Sequence, residues 1–228
     1  MSLRLAFSVT LTGLAGVLPA SAGAAGVPAA PSAARQAVPA LVALWHMDET
    51  SGTVMVDSVG GHNGTLNGVR VGLAGFIGTA YGFNHSFVSV PSAKALNPGR
   101  RKITIAIRLN ATLTPAHPDW DLMRKGVFDG VSGDYKIEYQ PTGQASCGFL
   151  GTLGSSELIA GPPLNDGRWH TVQCVKTTTT IRLVVDGRTF TKKARIGSIA
   201  NHAPITIGAR PGSEFFNGAL DEAYVQIG

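Results

Sequence analysis

The sequence predicts an all-β protein, built as an antiparallel sandwich or barrel. Three observations predict it. Apolar residues recur at every second position in short segments, which is the period of a half-buried strand. No segment sustains the period of an amphipathic helix. The segments are parted by Gly, Asn, Asp and Pro clusters, and 29 glycines with only 14% charged residues fit many turns and few solvated helices.

The elements follow in order. Leu41 to Met47 reads as the first strand, and Phe87 to Pro91 as another. Ile103 to Leu109 alternates apolar with smaller or polar residues, as does Tyr135 to Tyr139. Asn165-Asp166-Gly167 is a turn, where Gly167 supplies backbone angles that other residues avoid. Trp169 to Lys176 leaves that turn as a strand. Ile181 to Asp186 ends at Asp186-Gly187, a hairpin dipeptide. Pro204 to Gly208 is a short strand, and Gly218 to Ile227 closes the chain as a longer one. The first and last strands are expected to pair. No internal repeat is detectable.

The chain ahead of these strands reads differently. Arg4 precedes an apolar run, Leu5 to Leu18, and Pro19-Ala20-Ser21-Ala22 resembles an Ala-x-Ala cleavage site. Residues 1–22 therefore read as a secretory signal peptide, with an alternative cut after Ala25. The run is short for a membrane span, and no later segment approaches that length. Residues 23–40 are Ala, Pro, Gly and Ser with one charge, Arg35, and read as a linker. Residues 41–228 form the folded domain. This order predicts a secreted protein that is not integral to a membrane. In an exported chain Cys147 and Cys174 are expected to form one disulfide, the alternative being two free buried thiols. Two cysteines without CxxC spacing cannot form a zinc site by themselves.

The formal charge is +5. The dense basic runs, Arg100-Arg101-Lys102 and Lys192-Lys193-Ala194-Arg195, are not interleaved with the aromatics that stack bases, so a nucleic-acid partner is not expected. A mildly basic secreted surface suits an anionic glycan or cell-surface polymer. Ordinary solvated turns explain the same runs.

Three groups of residues invite a chemical role. His170 stands beside Asp166 and Cys174, but no serine elbow accompanies it, and a structural histidine at a sheet rim is expected. Asp119 and Asp121 flank Trp120 at the i, i+2 spacing that shares one face of a strand. They are the best candidates for a hydrolytic carboxylate pair. As a sugar-binding rim, Trp120 would stack on a pyranose between its two acids; a core position for Trp120 remains open. Oxygen-rich turns at Asp48 to Gly52 and Asp57 to Gly64, with Asp221-Glu222 in the last strand, offer the hard ligands of calcium. Glycosylation sequons begin at Asn63, Asn84 and Asn110, and no role is assigned to them.

Leu44-Trp45-His46-Met47-Asp48-Glu49, with Ser51-Gly52 and Asp57, resembles the entry of bacterial laminin-G-like domains in the concanavalin A-like lectin/glucanase superfamily. The run P-L-N-D-G-R-W-H-T-V from Pro163 resembles that family's central turn-strand motif, and Val185-Asp186-Gly187 its next hairpin. Pro204 to Gly208 and Phe216 to Glu222 resemble its closing strands. The resemblance spans nearly all of 41–228. It implies a two-sheet antiparallel jelly-roll sandwich, binding to glycans, proteins or matrix, and structural calcium near the paired termini. That calcium would fall to Asp57 and Asp221, with Asp48 and Asn63. The superfamily's glucanases carry an E-x-D-x-x-E strand, and no such run occurs here. The expectation is a secreted, non-catalytic, lectin-like module for a glycan or a cell-surface or matrix polymer. A glycan-cleaving hydrolase and a protein-interaction domain stay open as alternatives, and oligomeric state is not fixed.

Overall fold

Side chains that alternate along each strand build two antiparallel sheets, each burying one face against the other. The computed structural model describes residues 39–127, 133–210 and 212–228. The expected signal peptide, and the expected linker up to residue 38, lie outside the described residues. Among the described residues there are sixteen strands and one short 3-10 turn at Lys94–Leu96.

The first sheet contains β1 (Ala40–Trp45), β4 (Arg70–Ala74), β5 (Thr79–Phe83), β7 (Ile103–Asn110), β12 (Trp169–Lys176), β13 (Thr180–Val185), β14 (Arg188–Lys193) and β16 (Gly218–Ile227). Its order is β14-β13-β12-β7-β16-β5-β4, with β1 also on β16. The second sheet contains β2 (Val54–Met55), β3 (Gly64–Asn67), β6 (Phe87–Val90), β8 (Trp120–Lys125), β9 (Asp134–Tyr139), β10 (Ala145–Gly151), β11 (Gly154–Ala160) and β15 (Ile205–Ile207). Its order is β11-β10-β9-β8-β15-β6-β3-β2. This is the two-sheet jelly-roll sandwich that the sequence implied.

The expected pairing of first and last strands is present. Ala40 lies opposite Ile227 and Trp45 opposite Ala223. The strand thus begins one residue inside the expected linker, held there because Ala40 finds a partner and the Pro39 carbonyl accepts from Gln226. The first half of β16 pairs with β5 and its second half with β1, while β7 lines its other side. A register shift between Asp221 and Tyr224 marks a bulge, with Glu222 left-handed at φ 49.

Trp45, Tyr81, Tyr135, Tyr139, Phe149 and Phe216 fill the space between the sheets. Each contributes about 1.5–3 kcal/mol through its buried apolar surface. Cys147 on β10 is bonded to Cys174 on β12, with their Cα atoms 5.5 Å apart. The bridge therefore ties one sheet to the other across the core.

One turn positions much of the site. Gly208 has φ +86, and a Cβ there would lie 2.2 Å from the Phe83 ring, so no larger residue fits. Its N–H donates to the Leu122 carbonyl at 3.0 Å, and its carbonyl accepts from the Phe216 N–H at 2.8 Å. The chain after β15 is thereby turned back along the start of β8, where the Asp121 N–H donates to the Glu214 carbonyl at 3.0 Å. Glu214 and Phe215 arrive beside Asp119 and Trp120.

Candidate ligand-binding groove

At one end of the first sheet four strands bring one row of side chains to the outer face. Asn110 on β7 lies opposite Ala219 on β16, Ala219 opposite Gly82 on β5, and Gly82 opposite Arg70 on β4. Their neighbours Leu109, Leu220 and Tyr81 are buried, so this row faces outward. Ala219 and Gly82 are small, and between Asn110 and Arg70 they cut a trough. The resulting groove has a volume of about 460 Å³ and is also lined by Asn84 and Asn217. That is within the roughly 300–1,000 Å³ range of ligand sites.

The same two asparagines line a second depression of about 260 Å³, walled by His85, His117, Asp119, Trp120, Glu214 and Phe215. The two spaces therefore adjoin, with Asn84 and Asn217 between them. At this end the His85 and Phe215 ring centroids are 5.4 Å apart. Trp120 is half-buried, stacked on Tyr139 at 6.1 Å and edge-on to Phe216 at 6.0 Å. One side of the Trp120 ring packs on the core, and the residue also lines the depression.

The two acids beside Trp120 part company. Asp119 lines the depression, and burial raises its carboxyl above the usual range. Asp121 is fully buried, with Oδ2 2.7 Å from Arg124 Nη1. A register shift between Asp121 and Met123 accompanies this, setting Asp121 opposite Glu138 and Arg124 opposite Lys136. The Arg124 guanidinium also reaches Asp134 at 3.1 Å and Glu214 at 3.5 Å. Burial pushes the Asp121 and Glu138 carboxyls upward, with Arg124 and Lys136 opposing it. Glu138 pairs with Lys136 and accepts from Ser146 at 3.1 Å. Gln140 donates to Ser146 at 3.0 Å and to Asp119 at 3.4 Å, linking the groove to the buried charges. Carboxylate oxygens of Asp119, Glu138 and Glu214 lie within 4.8 Å of one another, a group that could hold a metal ion. Glu138 and Glu214 were not read as site residues, because cross-strand register and a returning loop assemble them.

The residues expected to bind calcium are placed in two groups. Asp57 accepts four backbone N–H groups: Leu44 and Val59 on Oδ1, Gly60 and His62 on Oδ2, at 2.8–3.0 Å. These bonds outweigh burial and hold its carboxyl below the usual range. Asn63 Oδ1 accepts from the Asp57 N–H at 2.9 Å. Calcium at this pair would have to displace those donors. Asp48 and Asp221 instead meet on one turn: Asp48 Oδ1 accepts from Thr79 at 2.7 Å, and Asp221 Oδ2 accepts from Phe76 at 2.8 Å and Ile77 at 3.2 Å. Asp221 Oδ1 is buried without a partner.

His170 sits between two carboxylates, Nδ1 2.7 Å from Asp186 and Nε2 2.9 Å from Asp166. It clamps the 165–167 turn to the 186–187 hairpin. Burial disfavours its charged form, but the two acids outweigh this and raise its pKa. His170 thus stands at a sheet rim, hydrogen-bonded on both ring nitrogens.

Two antiparallel sheets packed face to face, with an open groove across strand ends, define a sandwich of the concanavalin A-like lectin and glucanase class. A laminin G-like family model, described as the concanavalin A-like lectin/glucanases superfamily, matches residues 83–226, more than half of the chain. The chain belongs to this laminin G-like family. It is 32% identical over 72 residues to neurexin like receptor 1 of Caenorhabditis elegans, a stretch covering 30% of this chain and only 6% of that relative. The binding domain of Paraclostridial mosquitocidal protein 1 is similar in structure, with TM-score 0.64 and 16% identity over 81% of this chain and 48% of that one. Domain 4 of AbnA, a GH43 extracellular arabinanase from Geobacillus stearothermophilus solved with arabinotriose, has TM-score 0.62 and 16% identity over 83% of this chain and 93% of that one. At such identities the likeness is one of fold. No helix among the described residues is long and apolar enough to cross a membrane.

Proposed function

We propose that the chain is a secreted, non-catalytic binding module whose groove takes a glycan of a cell-surface or matrix polymer. The observation that carries this reading is the make-up of the groove: Asn84, Asn110 and Asn217 around a small-residue floor, adjoining a depression walled by Trp120, His85 and Phe215. An amide offers a donor and an acceptor to neighbouring sugar hydroxyls. Aromatic rings offer a flat apolar partner to a sugar face. Family membership supports the reading, as does fold likeness to a toxin binding domain and to an arabinanase domain solved with arabinotriose. The Arg4 to Ala22 leader pattern and the disulfide support export.

The pair expected for hydrolysis, Asp119 with Asp121, does not converge on the depression; Asp119 and Glu214 both line it and are the carboxyls a hydrolase reading would use. Glycoside cleavage needs two carboxyl groups that reach the bond. Asp121 and Glu138 are buried in pairs with Arg124 and Lys136, and neither lines the depression. Of the four residues that the resemblance implied for calcium, Asp221 and Asp48 fit better than Asp57 and Asn63, since Asp221 has a buried oxygen without a partner; an ion there would neutralise charge and stiffen the 75–79 turn. Affinity electrophoresis of the purified protein through gels containing polysaccharides tests the proposal. Retardation by at least one polymer, without release of reducing sugar, is expected. Turnover that survives purification and disappears in Asp119→Asn would replace the reading with a hydrolase. A protein captured stoichiometrically with no glycan retained would replace it with an interaction domain.

A further inference from the structure

Arg70 lies in the groove with its charge unspent. It sits across from Gly82, and a Cβ on Gly82 would come within 3.3 Å of its Nε and 3.5 Å of its Nη2. The guanidinium is therefore folded over the bare glycine, along the floor of the trough. Among the described residues no carboxylate or other hydrogen-bond acceptor is paired with it. Arg210, by contrast, is taken by Glu214 at 3.2 Å.

Resting on the binding-module reading, we infer that the groove selects a sparsely charged acidic glycan, with the carboxylate of one sugar seated on Arg70 and neutral sugars running toward Trp120. A planar guanidinium matches a carboxylate with two parallel hydrogen bonds. Asn84 and Asn217 stand at the junction of the two spaces, where the next sugar's hydroxyls would fall. Among the described residues the far end offers carboxyls and no free cation: Asp119 and Glu214 line it, Glu214 paired with Arg124 and Arg210, with the Glu138–Lys136 pair close behind. A densely charged polymer laid along the groove would put its anions against those acids. One cation at one end and acids at the other therefore favour one charge followed by uncharged rings.

The test measures retention of the purified full chain and of Arg70→Gln on four polysaccharides. They are a neutral arabinan, a partly esterified pectin carrying scattered carboxylates, a fully de-esterified pectin and a dextran sulfate. Arg182→Gln, an exposed change on β13 outside the groove, controls for the basic surface. The expected result is tightest binding to the partly esterified pectin, weakened at least tenfold by Arg70→Gln and unchanged by Arg182→Gln. Arabinan binding should be unaffected by either change. Dextran sulfate bound most tightly, or equal weakening by both variants, would reduce the effect to a general basic surface and overturn the inference. Pectin binding indifferent to Arg70→Gln would overturn it as well, leaving the module reading in place. Failure of every polymer to bind wild type would overturn both. Superimposable circular dichroism melts guard against misfolding of the variants.

Discussion

Replacing both Cys147 and Cys174 by alanine removes the tie between the sheets. The two residues are 27 apart in sequence. Closing a loop of that size lowers the entropy of the unfolded chain enough to stabilise the fold by about 3.6 kcal/mol in the chain-entropy model. In a domain of this size each kcal/mol moves Tm by roughly 2–4 °C, so a fall of roughly 7–14 °C is expected. Both sulfurs are fully buried, so the vacated space adds to the loss rather than offsetting it. Thermal melts in non-reducing buffer provide the assay. Urea titration adds a second readout, because the uncrosslinked unfolded chain expands and exposes more surface, which raises the slope m. A Tm within about 2 °C of wild type, with an unchanged m, would refute the reasoning and make the bridge incidental to stability.

Asp57→Ala strips the acceptor from four backbone N–H groups and should cost at least about 2 kcal/mol by chemical denaturation; a neutral result would mean that water replaces the carboxylate. Because the folded Asp57 carboxyl titrates below its usual value, its contribution is present above pH ~3.8 and is lost as pH falls through the lower folded value. Asp57→Asn should therefore flatten the acid limb of the stability curve. His170 runs the other way: its raised pKa gives stability that is full below pH ~6.5 and fades as pH rises through the higher folded value. His170→Gln should remove that decline, and an identical pH profile would dismiss the clamp. Asp121→Ala leaves Arg124 short of a buried partner and should cost about 3–5 kcal/mol; a stable variant with altered glycan binding would instead put Asp121 in the groove. Chelator should lower Tm in wild type but not in Asp221→Asn, and an equal response in both would remove calcium from that turn.

The sequence made some strands plain and hid others for physical reasons. β7 and β12 were plain because apolar residues recur at every second position along them, and their expected spans agree with the structure almost to the residue, although Thr104 and Ala106 on the other face of β7 are also buried. β8 was hidden because Asp121, Arg124 and Lys125 look like a solvated segment; all three are buried, Asp121 and Arg124 paired with each other within the strand and Lys125 held by the distant Asn201. β3, β4 and β11 are short or polar and rich in glycine, so pairing rather than propensity makes them strands. Trp120 with Asp119 stood out as a candidate because an aromatic flanked by acids is conspicuous in a chain poor in charge, and both line the depression. The trough was not. It depends on Gly82 and Ala219 being small at the same register, which only strand order reveals. Asn84 and Asn110 were visible only as sequons without a role, and their place in the groove comes from the ends of β5 and β7.

Backbone amide NMR during titration with an oligosaccharide of the retained polymer tests the groove most directly. The account predicts saturable shifts at Arg70, Gly82, Asn84 and Asn217 and at the Trp120 indole, with the β14 strand and the His170 clamp unmoved. Saturable shifts confined to any other surface, with the groove silent, would contradict it.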